Sequence, residues 1–332
     1  MRLSSMGDVL LTLPVITGIL AGNPEVQIIF VTRSRFVPYF AGIPRLTVIA
    51  FDPEGHHKGL IGIIRLFKEI RRHDFKTVID LHGILRTWIL DAFFLLTGSA
   101  IFTVRKYRKL RRFILKNPKA GKSVPHTVSR YSAVFKKAGL ICQISASVFP
   151  APPDPSQVET GHKNPIKIGI APMSKHSTKN WGISNVSELI SLAKTKYDAE
   201  IHLFGGLEDK LILDTLSGPK IYNHAGMSNP MDEISLIRTM TLFVSMDSAN
   251  MHLASLVGIP TISIWGATDP SLGFAPLFQP EAYTLHSDSP DVYCRPCSVY
   301  GELPCKRIDA PMLCMTSIRP GQVLNKINEI LN

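Results

Sequence analysis

Ser4-Ser5-Met6-Gly7-Asp8-Val9-Leu10-Leu11-Thr12-Leu13-Pro14, with Arg2 and Leu3 just before it, sets how the rest of the chain is read. Ser4, Ser5 and Gly7 suit a tight turn with exposed backbone N–H groups. Asp8 falls where a helix would begin, and Val9, Leu13 and Ile16 follow at helical spacing. The stretch therefore reads as the loop and first helix of a βα unit. Asp8 has two readings, a plain N-cap or a carboxylate that does chemistry. Met1 to Leu3 are too few for a central strand, since strands are roughly 5 to 6 residues long. The expectation is that the chain starts late, at an internal Met, and has lost most of its first strand.

A chain of 332 residues exceeds one ordinary core and fits two domains of roughly 150 residues. Apolar content of 45% and charged content of 19% describe a globular protein. No apolar run reaches the roughly 20 residues that span a bilayer; Trp88 to Phe102 comes nearest and is interrupted by Asp91. The opening residues carry no charged-then-apolar signal pattern, so a cytoplasmic location is expected. Five Cys do not make a secreted disulfide scaffold.

The net charge of +11 is concentrated. Nine cations, Arg105, Lys106, Arg108, Lys109, Arg111, Arg112, Lys116, Lys119 and Lys122, lie together with no acid among them, and the other residues balance to +2. Such a patch faces nucleic acid, an anionic membrane or a phosphorylated substrate, or is a solvated helix face. Nucleic acid calls for interleaved aromatics, and the patch has only Tyr107 and Phe113.

Strand-like runs alternate with helical ones. Strands are expected at 26–32, 46–51, 77–81 and 99–104, and helices at 60–73, 84–96 and 126–137. The pattern breaks at 146–165, rich in proline, and restarts with strands at 166–171, 200–204, 220–223, 241–245 and 260–265. Helices are expected at 185–196, 208–217, 231–240, from about 248, and at 320–331. The fold class is α/β, with two Rossmann-like doubly wound domains facing a cleft. The expected division is 1–150, a linker 151–165, 166–318 and a C-terminal helix in 319–332. Ligands in such folds sit beyond the carboxyl ends of the strands.

Three loops of the second half could carry a ligand. Pro172 to Trp181 offers hydroxyls and two Lys beside a helix start, suited to phosphate oxygens. Gly205-Gly206-Leu207-Glu208-Asp209 puts an acid after a Gly-Gly turn, suited to ribose hydroxyls or simply to a helix N-terminus. Met246-Asp247-Ser248-Ala249-Asn250-Met251-His252 lets a ligand approach a helix N-terminus, unless Asp247 or Ser248 is only a cap. There is no Walker loop and no GxGxxG, which argues against an NTPase or a dinucleotide oxidoreductase.

In this order and spacing the segments resemble the family-9 glycosyltransferases, the lipopolysaccharide heptosyltransferases. The carriers are Ser4 to Pro14, Val78-Ile79-Asp80-Leu81-His82-Gly83, Lys179-Asn180-Trp181, Gly205 to Glu208, Ser245 to Ala254 and Gly266-Ala267-Thr268-Asp269-Pro270. The resemblance implies the glycosyltransferase B fold and inverting, metal-independent transfer from a nucleotide sugar, typically ADP-heptose, with no cofactor. It implies Asp8 as general base and Lys179 as a donor-phosphate contact, with Ser174 as a further phosphate hydroxyl. Glu208 falls at the ribose, Met227 at the adenine and Asp247 near the transferred sugar. Ser248 lies beside them, and backbone N–H groups of Asn250, Met251 and His252 face the diphosphate. Ser5, Gly7, His82 (where the family commonly has Gln), Arg105, Lys106, Arg108, Lys109, Arg111 and Arg112 are expected on the acceptor side. The partners implied are a nucleotide sugar and an anionic glycolipid, met by a monomer peripheral on the cytoplasmic face of the inner membrane. Nucleic acid is not among them. The same fold with another nucleotide sugar, and a silent sugar-nucleotide binder, are the rivals.

Cys294, Cys297, Cys305 and Cys314 lie within one short stretch. They read as reduced structural thiols or as a structural zinc site, and the resemblance implies no metal. Cys142 stands apart and reads as packing.

Overall fold

A computed structural model of the protein describes residues 1–145, 148–149 and 165–332. Most of the expected linker lies outside the described residues. The chain divides into two compact units, one of residues 1–106 with 125–148, the other of 107–124 with 149–332.

In the first unit, the opening helix is broken in two: α1 (Met6–Leu10) and α2 (Leu13–Gly22). Thr12 Oγ1 turns back to donate to the Val9 carbonyl at 2.7 Å. Pro14 lies at the start of α2, where its missing N–H costs nothing. Two parallel strand pairs follow, β1 (Ile28–Arg33) with β2 (Leu46–Phe51), and β3 (Thr77–Asp80) with β4 (Ala100–Thr103). Residues 1–3 run between them. Met1 N donates to the Ile79 carbonyl at 2.6 Å, Leu81 N–H to Met1 at 3.0 Å, and Arg2 N–H to Val31 at 3.1 Å. Residues 1–3 bridge the two pairs but form no strand of their own, and the pairs remain separate two-stranded sheets. A cavity of about 480 Å³ lies beside Met1, lined by Ile28, Phe30, Thr77, Val78 and Phe94 among others.

Helices α3 (Gly59–Ile70), α4 (Leu85–Leu96) and, after the basic segment, α6 (Thr127–Lys137) complete the unit. Leu60, Ile63, Ile64, Phe67 and Ile70 recur at helical spacing along α3. The structure buries Gly62, Ile63, Leu66 and Ile70, and leaves Leu60 and Ile64 exposed. The cause is the backbone of His57. It presses so close to Gly62 that a Cβ there would lie 2.0 Å from the His57 carbonyl carbon.

The second unit carries a six-stranded parallel sheet in the order β10-β9-β8-β5-β6-β7. Its strands are β5 (Lys167–Ala171), β6 (Glu200–Leu203), β7 (Ile221–Asn223), β8 (Leu242–Met246), β9 (Thr261–Trp265) and β10 (Thr284–His286). Every residue of β8 and β9 is buried, as expected of strands covered on both faces. Helices α7 (Ile183–Tyr197), α8 (Lys210–Asp214), α9 (Pro230–Arg238) and α10 (Ala249–Val257) connect them, with α11 (Leu313–Thr316) and α12 (Pro320–Leu331) at the end. Val323 and Ile327 of α12 join the same core as Ile168, Val244 and Ile262. The chain winds outward from β5 through β6 and β7, then returns to β8 on the other side. The order therefore reverses between β5 and β8, where such sheets bind ligands.

The basic segment is a helix, α5 (Arg108–Lys116), and it belongs to this unit. Ile114 packs with Val124, Met251, Trp265, Leu272 and Phe274. Val124 N–H donates to Ser271 at 2.7 Å. Among the described residues, no helix is long and apolar enough to cross a membrane.

Candidate active site

Asp8 is not the N-cap of α1; that position belongs to Ser5. Asp8 lies in the first turn, and its carboxylate is held from two sides. Ser5 Oγ donates to Oδ2 at 3.0 Å, and the Arg2 guanidinium pairs with the same oxygen at 2.5 Å. Arg2 is itself buried and fixed, donating to the Leu81 carbonyl at 2.9 Å and lying 5.9 Å from the Tyr131 ring. Because residues 1–3 are pinned between β1 and β3, Arg2 can act as a fixed arm. Sequence reading missed Arg2, since its role comes from a backbone rung that is not visible in the residue pattern.

The loop after β3 approaches the same point. The Asp80 carboxylate, fully buried, accepts from the N–H groups of His82 (2.7 Å) and Gly83 (2.9 Å) and from Thr87 Oγ1 (2.8 Å). This turn seats the His82 imidazole in the interior. Burial, then the charges of Arg2 and Lys106, lower its pKa to about 3 against the pull of Asp80 and Asp8. His82 is therefore a neutral ring at pH 7, and its Nδ1 is buried without a hydrogen-bond partner. Gly83 has φ +60°, and a Cβ there would stand 3.2 Å from Lys106 Cε, so glycine lets the Lys106 stem lie against the turn. Asp91, on the buried face of α4, is pushed up to about 7 by burial and by Asp80. Asp8, Arg2, His82 and Lys106 thus share one neighbourhood.

In the second unit the predicted residues converge where β5 and β8 end. Lys179 Nζ pairs with Asp247 Oδ2 at 3.3 Å, and both side chains are largely buried. Thr268 Oγ1, after β9, donates to the same oxygen at 2.7 Å. Gly301 comes so close to the Lys179 stem that a Cβ would meet Lys179 Cγ at 2.8 Å. Ser174 Oγ is spent on Asn180 Oδ1 and the His176 carbonyl, both at 2.9 Å, so it shapes the loop as it stands. Ser248 caps α10 by backbone geometry only, with Oγ 3.1 Å from Ser245 Oγ. The first N–H groups of α10 have no acceptor within the helix. Asn250 Nδ2 is buried without a hydrogen-bond partner. The Met251 side chain is core, so only its backbone can face a ligand.

The Gly-Gly loop meets the loop after β7 through a hydrogen bond from Gly226 N–H to the Gly205 carbonyl at 3.0 Å. Glu208 is exposed, and its carboxylate lies over Gly206, within 2.6 Å of where a Cβ would be. Met227, half-buried, follows Gly226 in the joined loop. Glu208 and Met227 are thus brought to one rim.

Not all the expected acceptor cations are available. Arg111 is buried, donating to Tyr300 Oη at 2.9 Å and to the Leu272 carbonyl at 3.2 Å, with its guanidinium 4.7 Å from the Phe274 ring. It anchors α5. Arg108, Lys109 and Arg112 are exposed, and so is Arg105.

Among the described residues, the group of donors that gathers as a metal site would is His56, His57 and Glu69, not the cysteines. It does not suit an ion. The Asp52 N–H donates to His57 Nδ1 at 3.0 Å, so the proton of the neutral ring sits on Nε2 and points at Glu69, 3.1 Å away. The four clustered cysteines are free. Burial and neighbouring thiols push Cys297 up and Cys314 to about 11, so both stay protonated.

Two α/β units, one built on a doubly wound parallel sheet with the Lys179–Asp247 pair where its order reverses, are the frame of a glycosyltransferase of the B fold. The chain belongs to glycosyltransferase family 9 (heptosyltransferase), whose model matches residues 63–300. It is 21% identical over 279 residues to the lipopolysaccharide core heptosyltransferase OpsX of Haemophilus influenzae, covering 81% of this chain and 79% of that protein. A family-9 glycosyltransferase from Veillonella parvula has the same fold, with a TM-score of 0.76 at 18% identity, covering 99% of this chain and 95% of the other. The ADP-heptose lipopolysaccharide heptosyltransferase II of Escherichia coli gives a TM-score of 0.66 at 18% identity, covering 99% and 97%.

Proposed function

We propose that this glycosyltransferase moves heptose from ADP-heptose onto a lipopolysaccharide inner-core acceptor, with inversion and without a metal, as a monomer at the cytoplasmic face of the inner membrane. The observation that carries this reading is the Asp8 carboxylate, held by Ser5 and Arg2 at the mouth of the βα loop. Asp8 takes the proton from the acceptor hydroxyl as that oxygen attacks the anomeric carbon. One displacement on the face opposite the leaving group inverts the configuration. Fixing the carboxylate before the acceptor arrives removes an ordering cost from the reaction.

The diphosphate leaves with negative charge that must be met. Lys179, oriented by Asp247 and Thr268, and the open N–H groups at the start of α10 supply that stabilisation. This donor set does the work for which other transferases use a cation. Glu208 takes the ribose hydroxyls and Met227 lies against the adenine. The neutral His82 ring lines the acceptor side beside Asp8 and Arg2, while Lys106 and the exposed arginines of the basic segment meet the acceptor's phosphates.

A thermal-shift panel of ADP-, UDP- and GDP-sugars tests the donor. ADP-heptose should raise the melting temperature at the lowest concentration. A larger shift with a UDP- or GDP-sugar would overturn the assignment.

A further inference from the structure

We propose that the outer face of α3 and α4 is a docking surface for an anionic lipid bilayer. The proposal deepens the reading of a membrane-embedded acceptor and rests on it for its biological setting. The solvent side of α4 is apolar over three turns. Leu85, Trp88, Leu95 and Leu96 are 69%, 48%, 65% and 84% exposed, with Ala92 also exposed and Ile89 and Phe93 half-buried between them. Arg86 is the sole charge on that arc. A surface helix normally carries its polar residues there.

Helix α3 continues the patch. Phe67 packs against Phe93 with ring centroids 5.4 Å apart, joining the two helices. Beside that seam, Leu60, Ile61 and Ile64 stand out to solvent. Farther along the same exposed arc come Arg65, Lys68, Arg71 and Arg72, with Lys58 just before the helix, all exposed. The single acid of α3, Glu69, is turned aside onto His56 (2.9 Å) and His57 (3.1 Å). Asp91, the single acid of α4, is buried. The exposed arcs therefore combine large aliphatic side chains and a Trp with a row of cations and no acid. That is the chemistry of insertion at an anionic headgroup boundary, where apolar burial and electrostatic attraction add.

A second copy of the chain fits this face less well. A two-fold interface joins the same patch on both copies, and this patch has no exposed acid with which one copy could answer the other's row of cations. The basic segment, for which an anionic membrane is one of the partners the sequence allows, spends Arg111 on internal anchoring.

The test is cosedimentation of the full chain with vesicles of phosphatidylethanolamine and phosphatidylglycerol, and with vesicles of phosphatidylcholine. Two variants are compared with wild type, Leu60→Glu/Leu85→Glu/Leu96→Glu and Arg65→Glu/Lys68→Glu/Arg71→Glu. All six positions are exposed, so melting curves should stay near wild type. Wild type should bind the anionic vesicles in a salt-sensitive way, and each variant should bind at least about 10-fold more weakly. Transfer to a deacylated, water-soluble core acceptor should stay within about 2-fold, since none of the six positions touches the reacting groups. Undiminished vesicle binding by both variants would overturn the proposal. So would a wild-type dimer that ignores vesicles and that the leucine variant dissociates. Vesicle binding lost as expected, with no transfer by wild type to any soluble acceptor, would support the docking face while refuting the proposed reaction.

Discussion

Replacing Arg111 by Ala separates a structural cation from a ligand-binding one. The guanidinium donates to Tyr300 Oη and the Leu272 carbonyl, and faces the Phe274 ring at 4.7 Å. Hydrogen bonds from a charged donor are worth about 1.5–3 kcal/mol each, and an aromatic face adds about 0.5–1 kcal/mol. Against this stand the hydration that a buried arginine gives up and its unpartnered Nε. A net loss of about 3 kcal/mol is expected, because truncation also leaves the Leu272 carbonyl without this donor. For a unit of this size that is a drop of about 6–12 °C in melting temperature. Tryptophan fluorescence is the suitable probe, since Trp181 and Trp265 are buried in the second unit and Trp265 shares the cluster that α5 packs on. Arg112→Ala, at an exposed position, should change stability by no more than about 0.5 kcal/mol. An unchanged melting temperature for Arg111→Ala, with a raised KM for acceptor, would show that the guanidinium works on the ligand and would refute the anchoring argument.

His82 stays neutral in the fold down to about pH 3 and titrates near 6.5 when unfolded. Between those values the unfolded chain holds the extra proton, so stability should fall by up to about 1.4 kcal/mol per pH unit as pH drops. Urea unfolding of wild type and His82→Gln between about pH 7 and about pH 4 should show a shallower pH dependence in the variant. Lys179→Met removes the cation beside Asp247 and should lower kcat/KM by about 100-fold or more, with the ADP-induced thermal shift greatly reduced. In Gly206→Ala the new methyl would take the space of the Glu208 carboxylate, a flexible group that can swing away. The fold should survive and KM for donor should rise several-fold, read from initial rates.

Much of the architecture was legible because buried parallel strands are short, continuous apolar runs. β2 is Leu46–Phe51, as its LTVIAF run indicates, and the doubly wound order of the second unit follows from regular alternation. Asp8, Lys179, Glu208 and Asp247 stood out because loops after strands carry few large apolar residues to hide a polar one. What stayed hidden depends on long-range contact. Arg2 is unremarkable until residues 1–3 are seen paired to β1 and β3. Thr268 orients Asp247 from a separate loop, with no spacing rule to link them. The helix of the basic segment was masked because its buried positions, Arg111 and Ile114, include a charge. Helical spacing alone does not say which apolar positions of α3 face inward, and the close approach of His57 to Gly62 leaves Leu60 and Ile64 outward.

Asp8 is the centre of the proposed reaction. Asp8→Asn keeps the size of the side chain and a hydrogen-bonding oxygen for Ser5, while removing the charge and the basic oxygen. Steady-state transfer from ADP-heptose to a core acceptor, measured beside ADP-heptose binding, is the direct test. A fall in kcat of about 10²- to 10⁴-fold, the usual contribution of a positioned general base, is expected with donor affinity unchanged. Turnover near the wild-type rate in Asp8→Asn would contradict it.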